Sequence, residues 1–149
     1  MKIRKWLKVG LKMDLWNEHG LTENEIERLP PLTLAYIGDA VFEVLVRTYL
    51  VSKGTNKVGR LHKMSVDFVS ARSQAKFVKC VEKFLTQREH YILKSGRNAN
   101  SATIPKNANV SEYRWATGFE AVFGYLYLKK EYDRINVLIE KIIEYRQER

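Results

Sequence analysis

Apolar residues recur at three- and four-residue steps along most of this chain, and no segment keeps the alternation of an amphipathic strand. That spacing places apolar side chains on one face of a helix. The sequence therefore predicts an all-α fold, a single helical bundle. The expected helices are a short one ended by Pro30-Pro31, Thr33 to about Val51, Val58–Met64, Phe68 to Leu85, Gln87–Leu93, one after Asn109, and a final one.

Local signals set several helix ends. Thr22 with Glu25 is a capping box for the short first helix, and Asn109 with Glu112 resembles a second one. An apolar stripe in the final helix predicts that it covers the core: Ile135, Leu138, Ile139, Ile142 and Ile143.

The helical pattern stops between Gly96 and about Val110. This segment is rich in Asn, Gly and Ser, and it carries Arg97 and Lys106 but no acid. A polar loop of this length in a compact domain is usually functional or disordered.

Two acidic residues interrupt otherwise apolar helices. Asp39 lies in the run Leu34–Phe42, and Glu120 is the single charge between Ala116 and Leu128. An unpaired buried carboxylate is costly, so such residues are expected to be protonated, paired or bound to a cation. Two such acids on packed helices predict one shared site. They suit Mg²⁺, which accepts one or two protein carboxylates and completes its shell with water or phosphate.

Other readings of these acids stay open. A buried arginine could neutralise either one, and three are candidates: Arg47, Arg72 and Arg114. Glu43 follows Asp39 by one turn and is either a further ligand or the solvated edge of the helix. The histidines lack ligand spacing and are interpreted as surface residues: His19, His62 and His90. No Ser-His-Asp, P-loop or dinucleotide-binding arrangement is present.

The composition of the chain limits the classes of molecule that it is expected to bind. The 149 residues fit one domain, and the net charge of +9 with a pI near 9.7 favours a polyanion, either nucleic acid or an anionic membrane. The single cysteine, Cys80, excludes an internal disulfide and a cysteine-based zinc cluster, and it suits a reducing cytoplasm. It is interpreted as a small core residue.

Residues 1–20 are expected to form a basic N-terminal extension ahead of one domain at 21–149. Lysines interrupt every apolar window, so neither a secretory signal nor a membrane span is predicted. The segment is an extension from an upstream start, a basic arm or a weak amphipathic helix.

Three segments resemble motifs of the ribonuclease III family, in the family's order. Tyr36–Glu43 resembles the Leu-Gly-Asp-Ala core of its signature helix, and Phe68–Ala75 resembles its Leu-Val-Ser-x-x-x-Leu-Ala helix. Phe119–Leu128 resembles its second motif, Phe-Glu-Ala-Leu-Ile-Gly. The resemblance runs from about Leu32 to the C-terminus. No double-stranded-RNA-binding domain follows, so the chain is most similar to the form that consists of the catalytic domain alone.

This resemblance implies the ribonuclease III catalytic (endonuclease) fold, in a homodimer that cuts double-stranded RNA with Mg²⁺. The implied catalytic residues and metal ligands are Asp39 and Glu120, and the implied substrate is precursor 23S ribosomal RNA, with a ribosomal protein as a conceivable helper. Relatives carry further acids at three positions that are uncharged here: Leu32, Ala35 and Thr117. Fewer protein ligands and more water are therefore expected, with Thr117 offering its hydroxyl or holding a water.

Duplex RNA is recognised mainly through its shape, phosphates and 2′-hydroxyls, which suits cationic and amide side chains. Six such residues are candidate RNA contacts: Arg97, Asn98, Lys106, Arg114, Arg72 and Lys94. The alternatives are a non-catalytic RNA-binding or ribosome-assembly factor, and a helical interaction or membrane-surface protein that uses the N-terminal segment.

Overall fold

The computed structural model describes residues 20–54, 56–101 and 104–148, and the predicted N-terminal extension lies almost entirely outside them. The described residues are helical and contain no strand, which confirms the all-α prediction. The helices are α1 (Glu23–Glu27), α2 (Pro31–Ser52), α3 (Val58–Val69), α4 (Ala71–Val81), a 3₁₀ turn (Glu82–Phe84), α5 (Gln87–Asn98), α6 (Val110–Leu128) and α7 (Tyr132–Gln147).

Helix α6 is the centre of the bundle and packs against α2, α4, α5 and α7. Aromatic rings fill the space between α2, α4 and α6. The Phe42 ring lies 5.0 Å from the Phe119 ring, and Phe119 lies 4.9 Å from Phe123, measured between centroids. Phe77 adds an edge contact from α4. This buried cluster fixes the backbone of α6 next to Glu120.

The capping box at Thr22 is confirmed in full, whereas only the N-cap half of the one predicted at Asn109 is confirmed. The Thr22 hydroxyl accepts a hydrogen bond from the Glu25 amide, and the Glu25 carboxylate accepts one from the Thr22 amide. Asn109 caps α6 by accepting from the Glu112 amide at 3.0 Å. The predicted apolar stripe of α7 is buried along its whole length.

The predicted break between the third and fourth helices was misplaced. The apolar spacing continues past Phe68, but α3 extends to Val69 and α4 begins at Ala71. Ser70 separates them because its backbone is extended and its hydroxyl accepts from the Ser73 amide at 3.2 Å, which caps α4.

Helix α5 was predicted to end before Ser95-Gly96, yet it continues to Asn98. Gly96 lies against α6, where a Cβ would meet the Gly118 Cα at 2.7 Å, so this glycine serves close helix packing instead of ending the helix. Arg97 and Asn98 consequently belong to the last turn of α5, and the polar loop begins only after them.

No helix in the described ranges has the length and apolar character needed to cross a membrane. Cys80 is half-buried, and its thiol donates to the Lys141 carbonyl at 3.4 Å, while burial raises the pKa of the thiol. These contacts agree with a structural role for Cys80.

Candidate active site

Two glycines bring α2 and α6 into backbone contact beside the candidate acids. A Cβ on Gly38 would lie 1.6 Å from the Glu120 carbonyl oxygen, and one on Gly124 would lie 1.9 Å from the Leu34 carbonyl oxygen. Side chains of any size at these positions would push the helices apart. Because Asp39 directly follows Gly38, this contact places it next to Glu120.

The side chains of Asp39 and Glu120 interact directly, as their predicted shared site requires. Glu120 is largely buried, and burial is the largest cause that raises its pKa, to about 8. The charge of Asp39 and a hydrogen bond to Asp39 raise it further. In the absence of a cation, Glu120 therefore carries a proton at neutral pH and donates it to Asp39.

The expectation that Asp39 is buried was wrong. Its neighbours Gly38 and Val41 face the core, but Asp39 itself is exposed. The helix turns by about 100° per residue, so one residue within an apolar run can face outward. The apolar run around Asp39 reflects a second, outward apolar surface of α2, and not burial of the acid. An exposed Asp39 leaves the pair open to solvent and to an anionic substrate.

No basic side chain in the described ranges pairs with these two acids. Among the described residues, neither Asp39 nor Glu120 forms an ion pair, and the candidate Arg47 pairs instead with Glu43 at 3.2 Å. Glu43 still contributes a negative charge that raises the pKa of Glu120. The part of the site that the structure describes therefore concentrates negative charge and holds no paired basic side chain.

Thr117 is buried one turn before Glu120, and its hydroxyl donates to the Tyr113 carbonyl at 3.0 Å. The hydroxyl proton of Thr117 is therefore engaged in a hydrogen bond inside α6. The hydroxyl oxygen can still accept a hydrogen bond from water. Ala35, another position where the family resemblance implies an acid, is also buried.

The sequence analysis missed Gln74. This residue of α4 is 2% exposed, and its side-chain amide donates a hydrogen bond to the Glu120 carboxylate. That hydrogen bond lowers the pKa of Glu120, whereas burial and the neighbouring acids raise it. A signal was present in the sequence, because Gln74 is a polar residue on the face of α4 that also carries Phe77, Val78 and Val81.

The six candidate RNA contacts occupy four parts of the structure. Arg97 is half-buried with its guanidinium 4.6 Å from the centre of the Trp115 ring, and its Nε donates to Asn98 at 3.1 Å. The other five are exposed: Lys94 and Asn98 on α5, Lys106 in the loop, Arg114 on α6 and Arg72 on α4. Arg72 also lines a cavity of about 420 Å³ with Trp115. None of the six contacts Asp39 or Glu120 in the part of the chain that the structure describes.

The histidines behave differently from one another. His62 is exposed, while His90 is half-buried and lies 3.3 Å from a Glu82 oxygen, so its interpretation as a plain surface residue was incomplete. His19 lies outside the described residues. Within those residues, no three side chains of His, Cys, Asp or Glu come together as a metal-binding group.

Known proteins match both the sequence and the fold. Residues 32–131 match the family model described as the Ribonuclease III domain. A Staphylococcus aureus Mini-ribonuclease 3 is 47% identical over 85% of this chain and 96% of its own length. A Clostridium tetani Mini-ribonuclease 3 is 43% identical over 85% of each chain. The crystal structure of Fusobacterium nucleatum protein FN1578 superposes with a TM-score of 0.73 at 31% identity, covering 81% of this chain and 97% of that one.

Proposed function

Since the chain belongs to the Mini-ribonuclease 3 group of the ribonuclease III family and is an endoribonuclease, we propose that it hydrolyses double-stranded RNA at Asp39 and Glu120 with Mg²⁺. The observation that supports this site most directly is the contact between the two acidic side chains, neither of which forms an ion pair with a basic side chain of the described residues. Two carboxylates that the backbone brings this close repel each other unless a proton or a cation lies between them.

The donor set fits a hard divalent cation. Asp39 and Glu120 offer carboxylate oxygens, and the lack of a third acidic or histidine ligand among the described residues suits an ion that keeps several waters. When bound, Mg²⁺ would supply activation of a water and neutralisation of charge on the phosphodiester. Asp39, which is exposed, and Glu120, which would give up its proton, would together hold the ion.

Two neighbours would shape this site without being direct ligands. Glu43 is held by Arg47 and adds negative charge that favours a cation. Thr117 has its hydroxyl proton engaged with Tyr113, so its oxygen would accept a hydrogen bond from a water of the coordination shell. This contact would take the place of the acid that the family resemblance implies at that position.

The RNA would be held by phosphate contacts from the six basic and amide residues named above. The charge of +9 supports this, because neutralisation of phosphates supplies most of the sequence-independent affinity for nucleic acids. Arg97 is fixed by Trp115 and Asn98, so its guanidinium is preorganised. The family resemblance further implies a cytoplasmic enzyme that matures precursor 23S ribosomal RNA, with a ribosomal protein as a conceivable helper.

A homodimer would place two such sites on one duplex, each cutting one strand. The outward face of α2 supports it: Tyr36 is 78% exposed, and Val44 and Val51 are also exposed. A groove between α2 and α3 adds Val51, Val58 and Leu61, beside the polar side chains of Arg47, His62 and Ser65. Exposed apolar patches of this kind are typical of subunit interfaces.

The test compares wild type with Asp39→Asn and Glu120→Gln on long duplex RNA and on single-stranded RNA, with Mg²⁺ or with a chelator. We expect wild type to cut the duplex only with Mg²⁺, and each variant to lose at least about 100-fold in rate while still binding RNA. Asp67→Asn and Glu144→Gln make the same changes at exposed acids and should cut normally.

Cleavage by either active-site variant at the wild-type rate would contradict the assignment of the acids. Cleavage by wild type in chelator would contradict the metal. A non-catalytic RNA-binding or ribosome-assembly factor would bind duplex RNA under all of these conditions and cut it under none.

A further inference from the structure

Gln74 is among the most deeply buried polar side chains of the described chain. It is 2% exposed on the apolar face of α4, between that helix and α6. A buried amide lowers stability unless it is hydrogen-bonded, and an apolar residue of similar size would avoid this cost. Its presence therefore calls for a reason beyond packing.

The hydrogen bond of Gln74 goes to the carboxylate of Glu120. This adds a third helix to a site otherwise built from α2 and α6. Because Gln74 is enclosed, it has little freedom to move, and its amide limits the rotation of the carboxylate that it holds.

An amide is well suited to this position. Lysine or arginine would neutralise Glu120 and compete with a bound cation, while an apolar residue would leave the carboxylate free to turn. The amide is neutral, so it donates a hydrogen bond and leaves the negative charge of Glu120 available to a metal ion.

The small number of ligands supports the same conclusion. Within the described residues, no three side chains of His, Cys, Asp or Glu come together, so Asp39 and Glu120 have little help from other protein ligands. With so few ligands, the orientation of each carboxylate matters more. We propose that Gln74 is a positioning residue that orients Glu120 for Mg²⁺, an inference that rests on the proposed function.

The experiment replaces Gln74 with Leu. Mn²⁺ binding is measured by calorimetry on the intact protein without RNA, and the Mg²⁺ concentration for half-maximal cleavage is measured separately. We expect weaker Mn²⁺ binding by on the order of tenfold and a matching rise in the Mg²⁺ requirement. The affinity for RNA and the midpoint of thermal unfolding should not fall, because Gln74 is buried and leucine packs without a polar cost.

Asn136→Leu is the matched control, since Asn136 is a buried amide of α7 whose side-chain nitrogen and oxygen have no hydrogen-bond partner within the described residues. It should leave Mn²⁺ binding unchanged. Gln74→Met, which is unbranched and close in length to glutamine, takes the place of Gln74→Leu if circular dichroism shows that the leucine variant does not fold.

If a folded Gln74 variant kept the Mn²⁺ affinity and the Mg²⁺ requirement of wild type, the positioning role would be wrong. The proposed function would still stand if Asp39→Asn abolished both Mn²⁺ binding and cleavage in the same series. If Asp39→Asn left both intact, the proposed metal site itself would be wrong.

Discussion

Asp39 and Glu120 are both carboxylates, yet their surroundings give them different tasks. Asp39 is exposed, whereas Glu120 is largely enclosed and protonated at neutral pH by the combined effect of burial and Asp39. Occupation of the site by a cation must therefore release a proton from Glu120. In the proposed function, a bound metal ion would relieve the repulsion between the two carboxylates that otherwise keeps Glu120 protonated.

This difference predicts how the stability of the metal-free protein depends on pH. The pKa of Glu120 is about 8 in the folded state and 4.5 in its ordinary surroundings. Between pH 4.5 and about 8, the folded protein therefore holds a proton that the unfolded chain has released. The stabilising contribution of the protonated form is complete below pH 4.5 and is lost as the pH rises through 8. Glu120→Gln cannot lose a proton, so its stability relative to wild type should increase with pH.

Urea unfolding in chelator at pH 5 and pH 9 measures this effect. We expect the free energy of unfolding of Glu120→Gln, minus that of wild type, to be larger at pH 9 by at least about 1 kcal/mol. Glu144→Gln, at an exposed acid of α7, should show no such increase. Equal differences at the two pH values would mean that the folded protein does not shift the pKa of Glu120.

At the level of helices, the site depends on two backbone contacts. Gly38 and Gly124 allow α2 and α6 to touch beside the acids, while Gly96 and Gly118 do the same for α5 and α6. The bundle around α6 is therefore tightest near the candidate chemistry. The separation of the carboxylates follows from main-chain contact and not from the length of intervening side chains.

Gly38→Ala should consequently damage both stability and activity. Its methyl group would overlap the Glu120 carbonyl oxygen, so α2 must shift, and we expect a loss of about 1–3 kcal/mol or more in the free energy of unfolding. RNA cleavage should fall further than the loss of folded protein explains, because the two acids separate.

Gly59→Ala is the control for this substitution. Gly59 lies in α3 with open space around it, so alanine should raise stability by up to about 1 kcal/mol and leave cleavage unchanged. Thermal unfolding and initial cleavage rates measure both variants. Wild-type stability in Gly38→Ala would show that the helices do not make this close contact.

Helix periodicity and capping residues were sufficient to predict most of the fold. They identified the first turn of α1 at Thr22, the start of α6 at Asn109 and the buried stripe of α7, because these features depend on local hydrogen bonds and spacing. They misplaced the end of α5 because the role of Gly96 depends on Gly118, a residue far along the chain.

The site was predictable to a similar extent. The sequence indicated that Asp39 and Glu120 belong together, but it could not show which of them is exposed. Exposure depends on which side of α2 the other helices cover, and α2 is apolar on more than one side. Gln74 escaped notice because one polar residue in an amphipathic helix carries no information about its partner until the tertiary contact is known.

For the molecule as a whole, the outward face of α2 predicts its state of assembly. Tyr36→Asp would place a charge in the centre of the proposed interface, where burial without a partner is unfavourable. We expect wild type to sediment as a dimer and Tyr36→Asp as a folded monomer, at concentrations from low to high micromolar.

Tyr91→Asp makes the same change at an exposed tyrosine that stacks on Arg88 and belongs to α5, not to the outward face of α2. It should remain dimeric. A dimeric Tyr36→Asp variant would place the subunit interface elsewhere, and a monomeric wild type would exclude the homodimer.

The contact between Gly38 and the backbone of Glu120 also bears on how such a protein can diverge or be redesigned. Because the main chains already touch, we expect core side chains of α2 and α6 to be exchangeable for others of similar volume with little change in the distance between the acids. Libraries that randomise the aromatic core while keeping the four helix-contact glycines, Asp39, Glu120 and Gln74 should therefore yield many different interiors around one unchanged pair of carboxylates.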